Sequence, residues 1–230
     1  MKPNQIIIIG GGSSIKPELK KLQTTLKNKY VIGLNYIYHY FPFCTFYSYV
    51  DHKFYTDELE NLKNLPLIIG KYHSNLNNKT HSNTIMLPTR PKYSRDIKKG
   101  VYKSSLVGIF ALSLAIHLLK EGEVYLLGYD LGGDLNNKDV NGKIITHFYQ
   151  GEIKHRGIGK CSYYKGYRRG HNDFGCFRDL EGIKIYNIGL ESKLEEFEKI
   201  NYKEFYDKLH NENLSQDKLR ENIKNKLNIY

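Results

Sequence analysis

Four consecutive isoleucines, Ile6–Ile9, run directly into Gly10-Gly11-Gly12-Ser13-Ser14. An unbroken β-branched run favours a strand, and one apolar at every position suits a strand covered on both faces of a parallel sheet. Behind the glycines, Leu19, Leu22 and Leu26 recur at helical spacing, which predicts a helix over 15–28. Pro17 then falls in its first turn, where a missing N–H costs nothing. Val31–Leu34 reads as a second strand ending at Asn35. This βαβ opening predicts an α/β fold, a doubly wound, mostly parallel central sheet with helices on both faces.

The rest of the chain extends that pattern. Residues 36–49 carry eight aromatics, read as a loop around Pro42 and a strand over 44–50 closed by Asp51. A helix over 56–63, strands at 67–69 and 85–87, and a long apolar helix over 104–119 follow. The strand Val124–Leu127 ends in Gly128-Tyr129-Asp130. Residues 131–172 show little apolar periodicity, which marks a long binding loop or lid. A short helix over 174–180, a strand over 183–186 and charged helical segments over 190–210 complete an α/β domain of residues 1–212. Residues 213–230 form a charged helical tail with one narrow stripe, Leu219, Ile223 and Leu227. That stripe suggests a membrane-surface or oligomer contact.

Composition narrows the classes. No apolar run approaches the roughly 20 residues of a membrane helix. The start of the chain carries no small-residue cleavage site, so a cytoplasmic protein is expected. Three scattered cysteines do not make a disulfide framework. The formal charge of +11 invites a nucleic-acid reading. However, 28 Lys against 7 Arg, spread along the whole length, fits a solvated surface better than a phosphate-reading interface.

Several groups have the chemistry of a site. The glycine turn lets backbone approach a ligand, and Ser13, Ser14 and the helix start offer donors to an anion. It is neither G-x-G-x-x-G nor a P-loop, and Asn35 stands where a dinucleotide enzyme usually carries an acid. Asp51 and Asp130 end strands, where α/β sheets line their ligand crevices; each could equally cap the next turn. No D-x-D pair occurs. His155, Cys161, His171 and Cys176 lack the spacing of a common zinc finger. No metal ligands are therefore assigned. His147, His155 and His171 lie in the long loop among tyrosines and arginines, and a histidine there could act as a base.

Ile6–Lys16, with its glycine turn, resembles the nucleotide loop of the bacterial sialyltransferases of glycosyltransferase family 42. Asn35 is similar to their asparagine closing the second strand. The helix over 108–119 with the strand ending Gly128-Tyr129-Asp130, and Asn187 with Ser192, resemble their later motifs. The same pattern recurs in uncharacterised, often phage-encoded proteins and in hydroxymethylpterin pyrophosphokinase-like relatives. The resemblance implies a single Rossmann-like, GT-A-related domain that transfers a sugar from a CMP-sugar with inversion and no metal cofactor. It implies nucleotide contacts at Gly10, Gly12, Ser13 and Asn35, with Ser105 or Ser104 standing for the serine that opens the central helix. Gly11, Ser14 and Asp130 join them as expected nucleotide contacts, and Asp51 as a substrate contact, from their places in the turn and at strand ends. Tyr163, Tyr164 and Arg168 would steady the departing phosphate. The base would be His171, which precedes Asn172-Asp173, or else His155.

The expected function is thus metal-independent glycosyl transfer from a nucleotide sugar to a hydroxyl acceptor, a glycan or a nucleic acid. Two alternatives stand beside it. One is magnesium-dependent pyrophosphoryl or nucleotidyl transfer, with the ion on Asp51 and Asp130. The other is a basic nucleic-acid-associated protein with a degenerate site.

Overall fold

The computed structural model describes residues 3–74, 80–94, 96–103, 106–131, 145, 147–150, 152 and 173–227. Its main sheet is built from β1 (Gln5–Ile9), β2 (Val31–Leu34), β3 (Phe46–Tyr49), β4 (Ile68–Lys71), β5 (Thr84–Leu87), β8 (Gly122–Leu127), β9 (Ile183–Ile188) and β10 (Glu198–Ile200). Between β5 and β8, β6 (Thr89–Arg90) and β7 (Val101–Tyr102) form a separate small parallel pair. The helices are α1 (Leu19–Thr25), α2 (His52–Asp57), α3 (Leu59–Leu62), α4 (Val107–Leu119), α5 (Tyr202–Lys208) and α6 (Gln216–Leu227). No helix among the described residues is long and apolar enough to cross a membrane.

Strand order is β10-β9-β8-β1-β2-β3-β4-β5, and every pairing is parallel. The isoleucine run therefore lies inside the sheet, Ile7 opposite Val31 on one side and Tyr125 on the other. Strand alternation splits it between two cores. Ile6 and Ile8 join the α4 and α6 side, while Ile7 and Ile9 join the side of α1 and the aromatic residues. All four are at most 1% exposed, each worth about 1.5–3 kcal/mol of burial as an upper figure. The α/β class and the double covering expected from the sequence are those of the structure.

Several boundaries differ from the sequence expectation. The helix over 15–28 begins as a 3-10 segment, Ser13–Glu18, and becomes α-helical only at Leu19. The helix expected at 56 starts at His52, capped by Asp51, and breaks at Glu58 into α2 and α3. The short helix expected over 174–180 includes a 3-10 turn at Gly175–Phe177. Within 190–210, residues 198–200 are a strand, because Ile200 buries beside Ile188 while Glu198 stays exposed. Asn201 and Glu204 then form a reciprocal capping box that starts α5.

The tail also needs correction. Leu219, Ile223 and Leu227 are buried in the α4-side core, so the stripe is used within the chain rather than left for a membrane or a second copy. Arg220 donates to the carbonyls of Thr45 and Cys44, and Lys226 to that of Leu118.

Candidate functional site

Strand order reverses between β1 and β8, because β1 leads outward through β2 to β5 and β8 leads the other way to β10. In an open α/β sheet, the crevice beyond the carboxyl ends at such a point is the default ligand site. Here it lies between Gly10–Ser14 and Gly128–Leu131. The two turns are laced together: Gly10 N donates to the Leu127 carbonyl at 2.8 Å and Gly12 N to that of Gly128 at 3.0 Å. A β-carbon on Gly12 would stand 2.5 Å from the Asp130 carboxyl carbon and 2.6 Å from the Gly128 carbonyl. One on Gly11 would stand 2.6 Å from the His147 ring. Intrachain packing thus explains these glycines without a ligand.

The same packing changes the reading of the anion donors. Ser14 N and Ser14 Oγ donate to Asp130 at 2.9 and 2.5 Å, and Ser13 Oγ donates at 3.3 Å. The anion held by the turn is the chain's own carboxylate. Asp130 is fixed from the other side too, since Lys193 N donates to its carbonyl at 3.0 Å. Ser192 Oγ donates to the Tyr129 carbonyl at 2.8 Å and accepts from Asn187 Nδ2 at 2.7 Å. The asparagine–serine pair noted in the sequence therefore clamps the end of β8. Gly108 admits the Tyr129 ring, whose hydroxyl donates to the Gly108 carbonyl at 3.0 Å. Burial raises the Tyr129 phenol well above its ordinary pKa, so it acts as a structural donor.

Asn35 stands beside this crevice at the end of β2. Its φ is +48°, in the left-handed region, and its side-chain Oδ1 is buried with no hydrogen-bond partner among the described residues. Leu131, just past β8, is also left-handed at +43°. The other two described left-handed non-glycine residues, Asn28 and Lys120, merely follow α1 and α4. Asn35 thus combines a sparsely populated backbone with a buried side-chain acceptor that no described residue meets.

Asp51 does not join Asp130. It caps α2, accepting from Lys53 N at 2.8 Å, on an exposed surface. In the sheet β3 lies three strand positions from β8, roughly 14 Å away. Two carboxylates that far apart cannot share one magnesium ion, whose ligands sit at about 2 Å. Among the described residues no group of three or more His, Cys, Asp or Glu side chains could hold a metal. His155, His171, Ser105, Tyr163, Tyr164 and Arg168 lie outside the described residues. His147 is the long-loop histidine that can be placed, over Gly11.

The aromatic wall was not foreseen as part of the site. Phe148 N donates to the Gly11 carbonyl at 2.9 Å, which brings Phe148 and Tyr149 against the glycine turn. They pack with Tyr36 and Tyr40, which follow Asn35. The density of aromatics over 36–49 was the available signal.

No family model matches the chain, and no curated protein matches it. Among solved structures it is similar to the MAf glycosyltransferase from Magnetospirillum magneticum AMB-1, with a TM-score of 0.60 at 12% identity. The match covers 96% of this chain and 37% of that one, so the chain spans little more than a third of that structure's length. At this identity the likeness is one of fold, a parallel α/β sheet covered on both faces.

Proposed function

We propose that this chain is a glycosyltransferase that moves a sugar from a nucleotide donor, a CMP-sugar, to a hydroxyl acceptor without a metal ion. The observation that carries the reading is the buried Oδ1 of Asn35, unpartnered among the described residues, at the carboxyl end of β2 beside the switch-point crevice. Such an acceptor costs about 1–3 kcal/mol unless a donor meets it, and a ligand N–H or O–H would supply one. The fold likeness to a glycosyltransferase supports a nucleotide sugar as that ligand.

Asp130 takes up the donors of the glycine turn, so the donor's phosphate needs other partners. Tyr163, Tyr164 and Arg168 are the groups proposed for that role. Ser13, Ser14 and Asp130 would instead shape the nucleoside end. A loop histidine, His171 or His155, would remove the acceptor proton, with His147 the third candidate because it stands at the turn.

Melting the protein with CMP, CDP, UDP, GDP, ATP and NAD, each with and without Mg²⁺, tests the reading. CMP at about 100 times its Kd should add about 2.7 kcal/mol of stability without metal, and Asn35→Gly should abolish the response. A response to ATP with Mg²⁺ alone would overturn the proposal in favour of pyrophosphoryl transfer. Silence toward every nucleotide, with salt-sensitive oligonucleotide binding, would overturn it in favour of the nucleic-acid reading. In a CMP-sugar transfer assay, alanine at the histidine that serves as base should cost about 10²–10⁴-fold in kcat. It should leave CMP stabilisation intact.

A further inference from the structure

We propose that Tyr36, Tyr40 and Tyr149, together with Glu152, form an acceptor subsite for a neutral pyranose ring on the β2 side of the crevice. This rests on the glycosyl-transfer reading above and narrows its substrate class. The rings come from two separate stretches of chain. Tyr36 meets Phe54 edge-on at 4.9 Å and lies 5.9 Å from Tyr149, ring centre to ring centre. Tyr40 is near-parallel to Tyr149 at 6.1 Å and edge-on to Phe148 at 4.8 Å.

Phe148 and Tyr149 are buried, while Tyr36 and Tyr40 are half-buried. The inner pair is therefore a base and the outer pair a partly open surface. The base sits on the glycine turn: a β-carbon at Gly11 would fall 2.7 Å from the Tyr149 hydroxyl. An acceptor on the rings and a nucleotide donor at Asn35 would then be neighbours. Tyr36 directly follows Asn35 in the chain.

The polar groups around these rings decide what kind of ring they suit. Tyr40 donates its hydroxyl to Glu152 at 2.6 Å, and Tyr38 donates to Glu58 at 2.5 Å. Burial raises the Tyr36 phenol first, and the charges of Glu58, Asp57 and Asp51 raise it further. The charged groups that act on the Tyr36 phenol are carboxylates, although the whole chain carries +11. Those carboxylates disfavour an anionic group seated on the ring itself. Sugar hydroxyls are donors that carboxylates accept strongly, and the C–H face of a pyranose offers apolar area to the rings.

Saturation-transfer NMR with lactose, N-acetyllactosamine, cellobiose and methyl mannoside, set against 3′-sialyllactose and run with and without CMP, tests the assignment. At least one neutral sugar should bind through its ring protons and more tightly than sialyllactose. Tyr40→Ala should weaken that binding about tenfold, and Tyr40→Phe, which keeps the ring, by no more than about threefold. Glu152→Gln, on an exposed side chain, should weaken it without affecting the melting temperature. The subsite is refuted if CMP binds but no neutral sugar does, if sialyllactose binds best, or if a folded Tyr40→Ala binds as the parent does. Sugar binding without any nucleotide response would uphold the subsite and refute the donor reading. Silence toward both would refute both.

Discussion

The two edges of the central sheet obey opposite rules. At the amino edge the buried polar groups find partners. Gln5 donates to Glu123, Tyr125 and the Lys208 carbonyl, and its own carbonyl accepts from His210 N. Thr45 and Gln216 bond to each other, and Gln216 Nε2 also reaches the Lys29 carbonyl. At the carboxyl edge Asn35 Oδ1, Tyr49 OH and Asn187 Oδ1 are buried without partners among the described residues. They belong to the ends of β2, β3 and β9. One sheet, with one kind of strand, is thus saturated at one edge and left short at the other. Unmet hydrogen-bonding capacity is what separates the scaffold edge from the edge proposed to meet a ligand.

Alkali should collapse both edges and gives the largest expected effect. Tyr30 lies before β2, while Tyr47 and Tyr49 lie in β3, and burial raises all three phenols above their ordinary value near 10. Above pH 10 the unfolded chain releases tyrosyl protons that the folded chain keeps, so it binds fewer protons and stability falls with rising pH. Each such tyrosine contributes about 1.4 kcal/mol per pH unit in that range. The contribution is fully present below pH 10. Melting curves from pH 8 to 11.5 should therefore stay level and then drop steeply, with tyrosinate absorbance appearing together with unfolding. Ionisation of these phenols ahead of unfolding would contradict the burial argument.

Substitutions at single residues separate the edges. Ile223→Ala empties a site on α6 that closes the amino side, at a cost of about 2–5 kcal/mol in chemical denaturation. A loss below 0.5 kcal/mol, on the order of a surface change, would return the tail to the role of a peripheral contact. Gln5→Ala should cost about 1–3 kcal/mol, because four partners lose their hydrogen bonds at once, while nucleotide response stays unchanged. Asn35→Gly should do the reverse. Glycine relieves the left-handed backbone and removes the orphan acceptor, so stability should hold or rise, by up to about 1–3 kcal/mol, while the response to CMP disappears. A large stability loss in that variant would mean that Asn35 serves the scaffold and not a ligand.

Much of the scaffold was legible because it is repetitive. Period-two burial in Ile6–Ile9 and the bounds of β2 follow from β-branched residues meeting a turn. β10 was hidden because three residues, two of them charged, carry no detectable alternation; its pairing is supplied by β9. The tail stripe was read correctly as apolar, but sequence could not say that its partner was the chain's own core. Asn201-x-x-Glu204 was a visible capping signal that was passed over. In the site, glycine spacing indicated a tight turn without showing what crowds it. That Asp130 fills the turn, and that residues 147–149 lean on Gly11, are contacts more than 110 residues apart along the chain. No local pattern encodes them.

The position of β1 also sets the order in which the molecule can be completed. It is made well before one of its two neighbours, β8, since Gln5 meets Glu123 across 118 residues. During synthesis four isoleucines have one strand edge paired by β2 and the other open until β8 emerges, 118 residues later. At a typical 5–20 residues per second that exposure lasts roughly 6–25 s. Such an edge is a template for pairing with other chains. Yield and aggregation in the cell should therefore depend on elongation speed and chaperone supply more than on the stability of the finished fold.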